Sequence, residues 1–289
     1  MNSQSQASET QPLLSGSSNT EQTSSPVREH NREHEPNQDQ SKIYMGIGSQ
    51  ARDASSSVAE LPVEADMDIQ TASVPGRRGD SLGLTLVVSG CTLLVAITWF
   101  EIFSNNPRSL GLFAFHPPLQ TLAIALFAYG ILTLQPTSHL QPKAKVAGLN
   151  KHQLIILGLA FPCISVGTLV IIWNKNIHEA PHFVSWHGTF GIIAVSLMLG
   201  QMFLGAGSVW FGGKLFGGGA KAKGLWKYHR ISGYLLFPLF LATIMIGGLW
   251  STWTTGNISL LPRIFAYGIA PVTIIVGIWS RARVSKLGF

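Results

Sequence analysis

The stretch Ser185-Trp186-His187-Gly188-Thr189-Phe190-Gly191 opens an apolar run that extends to about residue 211. A run of about 20 apolar residues is long enough to cross the hydrocarbon core of a bilayer as a helix. A histidine at the edge of such a run is costly to place in lipid, which points to a function. Three further histidines have the same placement, in the contexts Ala114-Phe115-His116-Pro117, Asn150-Lys151-His152 and Lys227-Tyr228-His229-Arg230.

Six apolar runs follow one another from Ser81 onward. Each predicts a membrane-spanning helix, because a segment in lipid must satisfy its own backbone polar groups. The predicted helices lie at about 82–103, 116–136, 152–173, 187–211, 229–251 and 264–281. The sequence therefore predicts an all-α integral membrane protein with a six-transmembrane-helix bundle over residues 81–284. In this prediction the four histidines stand at the starts of the second to fifth helices.

Residues 1–80 have a different composition from the rest. They hold 12 of the 14 acidic residues and 6 of the 20 Lys and Arg residues, a net charge of −6, whereas residues 81–289 have a net charge of +12. This segment is rich in Ser, Gln, Glu, Asn and Thr, and it cannot bury enough apolar surface to fold alone. We therefore expect a disordered cytoplasmic N-terminal tail over residues 1–80 and a short cytoplasmic C-terminal tail over residues 285–289.

Lys and Arg residues are divided unequally between the two sides of the predicted bundle. Thirteen of those flanking the helices or lying in their loops are on the side of the N-terminus, and three, Arg108, Lys175 and Arg263, are on the other. Because cytoplasmic loops carry the excess of positive charge, both termini are expected in the cytoplasm. The glycosylation sequon at Asn257 falls on the opposite side, which agrees with this orientation. Positive charge confined to membrane loops does not indicate nucleic-acid binding.

One short motif in the N-terminal tail bears on location. Residues Glu9 to Leu14 read Glu-Thr-Gln-Pro-Leu-Leu and resemble acidic dileucine sorting signals. Such signals direct proteins to endosomal and vacuolar membranes, although a Leu-Leu pair can also occur in a polar tail by chance.

The antiparallel course of successive helices sorts the four histidines into pairs. His116 and His187 are expected at the outer face, and His152 and His229 at the inner face. Two imidazoles at each face are the number needed for bis-histidine ligation of one haem iron. Neither cysteine belongs to a C-x-x-C-H motif, so the sequence predicts two non-covalent haem b groups, roughly 20 Å apart. The histidine spacing also indicates an internal repeat of helices two and three in helices four and five.

The four histidines are also compatible with roles that involve no haem. A single histidine at a helix edge can serve as an interfacial polar anchor, whereas a zinc site would require closer ligands or thiolates. The remaining histidines are expected to be solvated, either in loops (His139, His178 and His182) or in the tail (His30 and His34).

Together the motifs around the four histidines resemble the cytochrome b561 family, closest to the short forms called cytochrome b561 domain-containing proteins. The resemblance covers about 82–281 and rests on Phe115-His116-Pro117, Lys151-His152, His187-Gly188-x-x-Gly191 and Tyr228-His229-x-x-Ser232-Gly233. It implies that the central four helices hold two b haems on the histidine pairs given above. It also implies a transmembrane ascorbate-dependent oxidoreductase, often a homodimer, of the ferric-chelate or monodehydroascorbate reductase type. Such proteins pass electrons from cytosolic ascorbate to ferric chelates or monodehydroascorbate on the far side.

Basic residues of the inner loops are candidates for the donor site. Ascorbate is a monoanion at neutral pH, and a cationic rim raises its local concentration. The candidates are Lys143, Lys145, Lys151, Lys223, Lys227 and Arg230. The same charges could instead fix the topology and contact anionic membrane lipid. Two other functions stay open: a quinol- or partner-coupled membrane cytochrome, and a non-redox six-helix transporter whose histidines are anchors or proton relays.

Overall fold

The computed structural model describes residues 79–135, 142–283 and 285. Predictions that fall on residues 1–78, including the disordered tail and the Leu13-Leu14 motif, lie outside the described residues. The same holds for His139 and for most of the predicted C-terminal tail.

In the described part of the chain, all regular secondary structure is helical. Six helices there are long and apolar enough to cross a membrane: α1 (Asp80–Ser104), α2 (Pro107–Leu132), α3 (Pro142–Ile177), α4 (Trp186–Phe216), α5 (Gly219–Trp250) and α6 (Leu260–Arg281). Large apolar side chains such as Phe100, Leu169 and Trp250 are exposed on the outside of the bundle, as lipid-facing positions require. The prediction of an all-α, six-helix membrane bundle is confirmed.

The spans of α2 and α5 begin before their histidines, with short helical turns (Pro107–Leu110, Gly111–Phe115 and Gly219–Gly224) ahead of the longer α-helices that begin at His116 and Trp226. The third helix departs further from its predicted course, because it is helical without a break from Pro142 to Ile177. It begins at Pro142, so the prediction that His152 opens it is wrong, and His152 lies about three turns inside α3. Proline suits the first turn of a helix, and the Lys143-Ala144-Lys145 segment that follows favours helix formation. Because these turns are polar, the apolar run marks only the part of the helix that lies in lipid.

Two membrane helices widen locally into π-helical turns. These turns cover Leu154–Ala160 in α3 and Ile264–Ile269 in α6, and each is followed closely by a proline, Pro162 or Pro271. Proline has no backbone N–H, so it interrupts the α-helical hydrogen bonds of the preceding turn. The wider turns accommodate that interruption, and the one in α3 begins two residues after His152.

Helices α1 and α6 pack closely through small residues. A Cβ atom at Gly277 would lie 2.7 Å from the carbonyl oxygen of Gly83 and 2.7 Å from Cγ2 of Val87. Such close backbone approach is a common way for membrane helices to associate. Arg281 joins the end of α6 to the start of α1, because it donates to the carbonyl oxygen of Asp80. It also donates to the side chain of Gln135, just after the end of α2, at 3.1 Å.

The remaining four helices pack as two pairs, α2 with α3 and α4 with α5. These pairs correspond to the two units of the repeat predicted from the histidine spacing. The units meet at Phe127 of α2 and Phe240 of α5, whose rings are stacked with centroids 5.7 Å apart. Both phenylalanines are buried, so the two units are in apolar contact at the centre of the four-helix arrangement.

The α1–α6 contact predicts a clear stability effect. Replacing Gly277 by Ile should force these helices apart, because overpacking a close contact costs about 1–3 kcal/mol. The thermal unfolding midpoint of the detergent-purified protein should therefore fall. The adjacent change Val276→Ile, at a side chain that is 51% exposed, should leave the midpoint in place. Equal midpoints for Gly277→Ile and the unmodified protein would contradict the close packing.

Candidate functional site

The structure brings the four histidines together two by two. The ring centroids of His116 and His187 are 6.0 Å apart, with an angle of 86° between the ring planes. The ring centroids of His152 and His229 are 6.4 Å apart, with an angle of 89°. We call His116 and His187 the first pair and His152 and His229 the second pair. Each pair joins one unit of the bundle to the other, since α2 and α3 supply one histidine each and α4 and α5 the others.

Every one of these histidines forms a hydrogen bond through Nδ1 to a backbone carbonyl oxygen. The distances are 2.8 Å from His116 to Gly167, 2.9 Å from His152 to Gly130, 2.9 Å from His187 to Thr243 and 3.2 Å from His229 to Gln201. A carbonyl oxygen only accepts, so in each neutral ring Nδ1 carries the proton. The lone pair is then on Nε2, which is the form of imidazole that can bind a metal through that atom.

The carbonyl acceptors follow a regular pattern along the helices. In the first unit, which consists of α2 and α3, α2 carries His116 and the acceptor Gly130. Helix α3 carries His152 and the acceptor Gly167. The second unit repeats this arrangement with His187 and Gln201 in α4 and with His229 and Thr243 in α5. On each helix the histidine and the acceptor are 14 or 15 residues apart, which is about four turns or roughly 21 Å. Each unit is thus held by two reciprocal hydrogen bonds, one near each end.

Two glycines make room for histidine rings. A Cβ atom at Gly247 would lie 2.5 Å from Nδ1 of His187, and one at Gly205 would lie 2.6 Å from Cε1 of His229. Both distances are shorter than a van der Waals contact, so any side chain at these positions would displace the ring. Glycine at these two helix positions is therefore part of the site.

The separation of the rings fits a metal held between them. A metal–imidazole nitrogen bond is about 2 Å, and the ring centre lies about 1 Å beyond the nitrogen, so two rings on opposite sides of one metal have centroids about 6 Å apart. The centroid separations of 6.0 and 6.4 Å agree with that arrangement. With Nδ1 already bonded, each pair presents the donor set of a bis-histidine haem iron. The role of the four histidines as ligands stays a prediction.

The predicted basic residues gather near the second pair. They belong to the first turns of α3 (Lys143, Lys145 and Lys151) and of α5 (Lys223, Lys227 and Arg230). The ammonium group of Lys145 lies 5.5 Å from the ring centre of Trp226, so the two basic segments are neighbours. All but Lys145 and Arg230 are exposed. This end of the bundle therefore presents a cationic surface.

Four further residues of the site, Gln120, Gln201, Gly205 and Gly247, were not predicted from the sequence. An amide side chain inside an apolar run is unusual, and that signal could have identified both glutamines. The glycines carried no such signal, because small residues are common in membrane helices. Of the loop histidines, His178 is exposed and His182 partly buried, and both form local hydrogen bonds to asparagine atoms.

Comparisons with known proteins found one family model and several similar proteins. Residues 115–255, which include all four histidines, match the family model described as eukaryotic cytochrome b561. The chain is 30% identical over 200 residues to a Bos taurus protein named Transmembrane reductase CYB561D2, a match that covers 69% of this chain and 84% of that protein. The Homo sapiens protein of the same name is 30% identical over 184 residues, with 63% and 78% covered. No solved structure matches the chain.

The glycine contacts predict a selective loss of haem. If each histidine pair holds one haem, Gly205→Ala should push the His229 ring out of place and lower the haem content of the purified protein by about half. Pyridine haemochrome analysis against protein concentration measures this ratio. The matched control is Gly200→Ala in the same helix, where a Cβ atom would meet nothing within 4 Å. A full haem content in Gly205→Ala would show that the ring position does not matter.

Proposed function

The chain belongs to the cytochrome b561 family, and on that premise we propose that it carries electrons across a membrane from cytosolic ascorbate to ferric chelates or monodehydroascorbate on the other side. The proposal includes two non-covalent b haems, one on His116 and His187 and the other on His152 and His229. The observation that carries it is the pairing of the rings at 6.0 and 6.4 Å with every Nδ1 bonded to a carbonyl oxygen.

The chain's own residues have three tasks in this proposal. The histidines offer Nε2 in a fixed direction, and the reciprocal hydrogen bonds hold the two pairs about 21 Å apart along the helices. The buried rings of Phe127 and Phe240 exclude water between the pairs. Haem b held by two imidazoles exchanges one electron and has no open coordination position for substrate.

The cationic surface near the second pair suits an anionic donor. Ascorbate monoanion that gives up one electron also loses a proton and becomes monodehydroascorbate. The electron crosses to the first pair, where it reduces ferric to ferrous iron in a chelate, or returns monodehydroascorbate to ascorbate when a proton is taken up. We propose the orientation that the Lys and Arg bias predicts, with both termini and the second pair on the cytoplasmic side. The Leu13-Leu14 motif supports residence in an endosomal or vacuolar membrane, and the family resemblance supports a homodimer.

An anaerobic optical spectrum tests the function directly. The purified protein should show a b-type spectrum, and ascorbate should reduce a large part of the haem that dithionite reduces. Colourless but folded protein would refute the redox function and favour a non-redox transporter. Haem that dithionite reduces and ascorbate does not would refute ascorbate as the donor and favour a quinol- or partner-coupled cytochrome.

The position of the donor site gives a separate prediction. Replacing Lys223 and Lys227 together by Gln should slow reduction by ascorbate about threefold or more at low ionic strength, because a cationic surface concentrates an anionic substrate. The difference should shrink at high salt, where exposed charges are screened. Stopped-flow reduction of the haem spectrum measures both rates.

The matched control for this measurement is Arg108→Gln, an exposed cation at the other end of the bundle. It should leave the rate with ascorbate unchanged. If Arg108→Gln slows the reaction and the lysine double variant does not, then ascorbate reacts at the first pair and the proposed direction is wrong.

A further inference from the structure

Two glutamines within the membrane helices hydrogen-bond to a neighbouring helix, one beside each histidine pair. Gln120 is in α2, one turn after His116, and Gln201 is in α4, opposite His229. A side-chain amide is costly in lipid unless it is hydrogen-bonded. Each of these amides is hydrogen-bonded, and each bonds to the neighbouring helix of its own unit.

Gln201 contacts the His229 region through three of its atoms. Its Nε2 donates to the carbonyl oxygen of His229 at 2.5 Å, and its Oε1 accepts from Oγ of Ser232 at 2.6 Å. Its own carbonyl oxygen is the acceptor for Nδ1 of His229 at 3.2 Å. The Gln201 side chain therefore holds α5 in the register at which the carbonyl oxygen of Gln201 can accept the hydrogen bond from Nδ1 of His229.

Gln120 plays the corresponding part at the first pair. Its Nε2 donates to the carbonyl oxygen of Ile164 at 3.2 Å and to Oγ1 of Thr168 at 3.1 Å. These two atoms lie on either side of Gly167, whose carbonyl oxygen accepts from Nδ1 of His116 at 2.8 Å. A Cβ atom at Gly167 would lie 2.8 Å from Nε2 of Gln120, so only glycine lets the amide reach this turn. The Gln120 amide thus fixes the position of the Gly167 carbonyl oxygen. That oxygen is the acceptor for His116, which lies one turn before Gln120 in α2.

We propose that Gln120 and Gln201 are positioning residues, each of which holds one carbonyl acceptor against one histidine Nδ1 and so sets the reduction potential of one haem. The inference rests on the proposed haem function. A firm Nδ1–H hydrogen bond makes an imidazole a stronger electron donor, which favours the ferric state of the iron. Loosening that bond therefore favours reduction of the haem on the affected pair alone.

A redox titration of the full-length protein, followed by optical spectra, tests this assignment. Gln201→Leu should favour reduction of the second-pair haem about tenfold, which raises its midpoint potential by about 59 mV for a one-electron couple. The midpoint potential of the first-pair haem should stay unchanged. Gln120→Leu should do the same to the first-pair haem. A variant that lacks both His116 and His187 should keep only the second-pair haem. The spectral component that remains in this variant is therefore assigned to the second pair.

Ser232→Ala gives a milder version of the test, because it removes a hydrogen bond to the Gln201 side chain and leaves the amide itself in place. Ser232→Ala should raise the midpoint potential of the second-pair haem by less than Gln201→Leu does. It should leave the midpoint potential of the first-pair haem unchanged. Haem lost from the expected pair alone in a leucine variant would also support the proposal. Unshifted midpoints in all three variants, equal shifts of both haems, or loss of both haems would overturn it. Wild-type protein without two b-type components would instead refute the proposed function itself.

Discussion

The site depends on the hydrogen bond from each histidine Nδ1 to a carbonyl oxygen of the neighbouring helix. This bond selects the tautomer, fixes the ring and leaves Nε2 for a metal. It also suits a membrane interior, because a helix carbonyl has a second lone pair and can accept from the ring without giving up its own helical bond. The polar side of each imidazole is thereby satisfied by backbone that is already present. Few other polar groups are then needed in the bundle.

The reciprocal arrangement of these bonds explains the architecture around them. Because each helix of a unit carries both a histidine and an acceptor about four turns away, the two helices of a unit cannot slide against each other without breaking both bonds. Each unit is therefore a rigid element with one histidine near either end, and placing two such units side by side creates two pairs. Helices α1 and α6 close the bundle through the small residues Gly83 and Gly277 and carry none of the four histidines.

Much of this arrangement could be predicted from the sequence, because it depends on features that are local in the chain. The six apolar runs and their number followed from residue hydrophobicity, and the grouping of His116 with His187 followed from counting passes. The start of α3 at Pro142 could not be predicted in this way, since polar turns outside the lipid are invisible to an apolar pattern. The parts played by Gly205 and Gln201 depend on His229, which is distant in sequence, so only the packed structure shows them.

The central claim is that four histidines form two bis-histidine haem sites, and the haem content of two double variants tests it most directly. His116→Ala with His187→Ala removes the first pair, so the protein should keep about one haem per chain. His116→Ala with His229→Ala also removes two histidines, but one from each pair, and should keep none. Pyridine haemochrome analysis of both purified proteins gives the two ratios. Equal haem content in the two variants, or more haem in the second, would contradict the pairing.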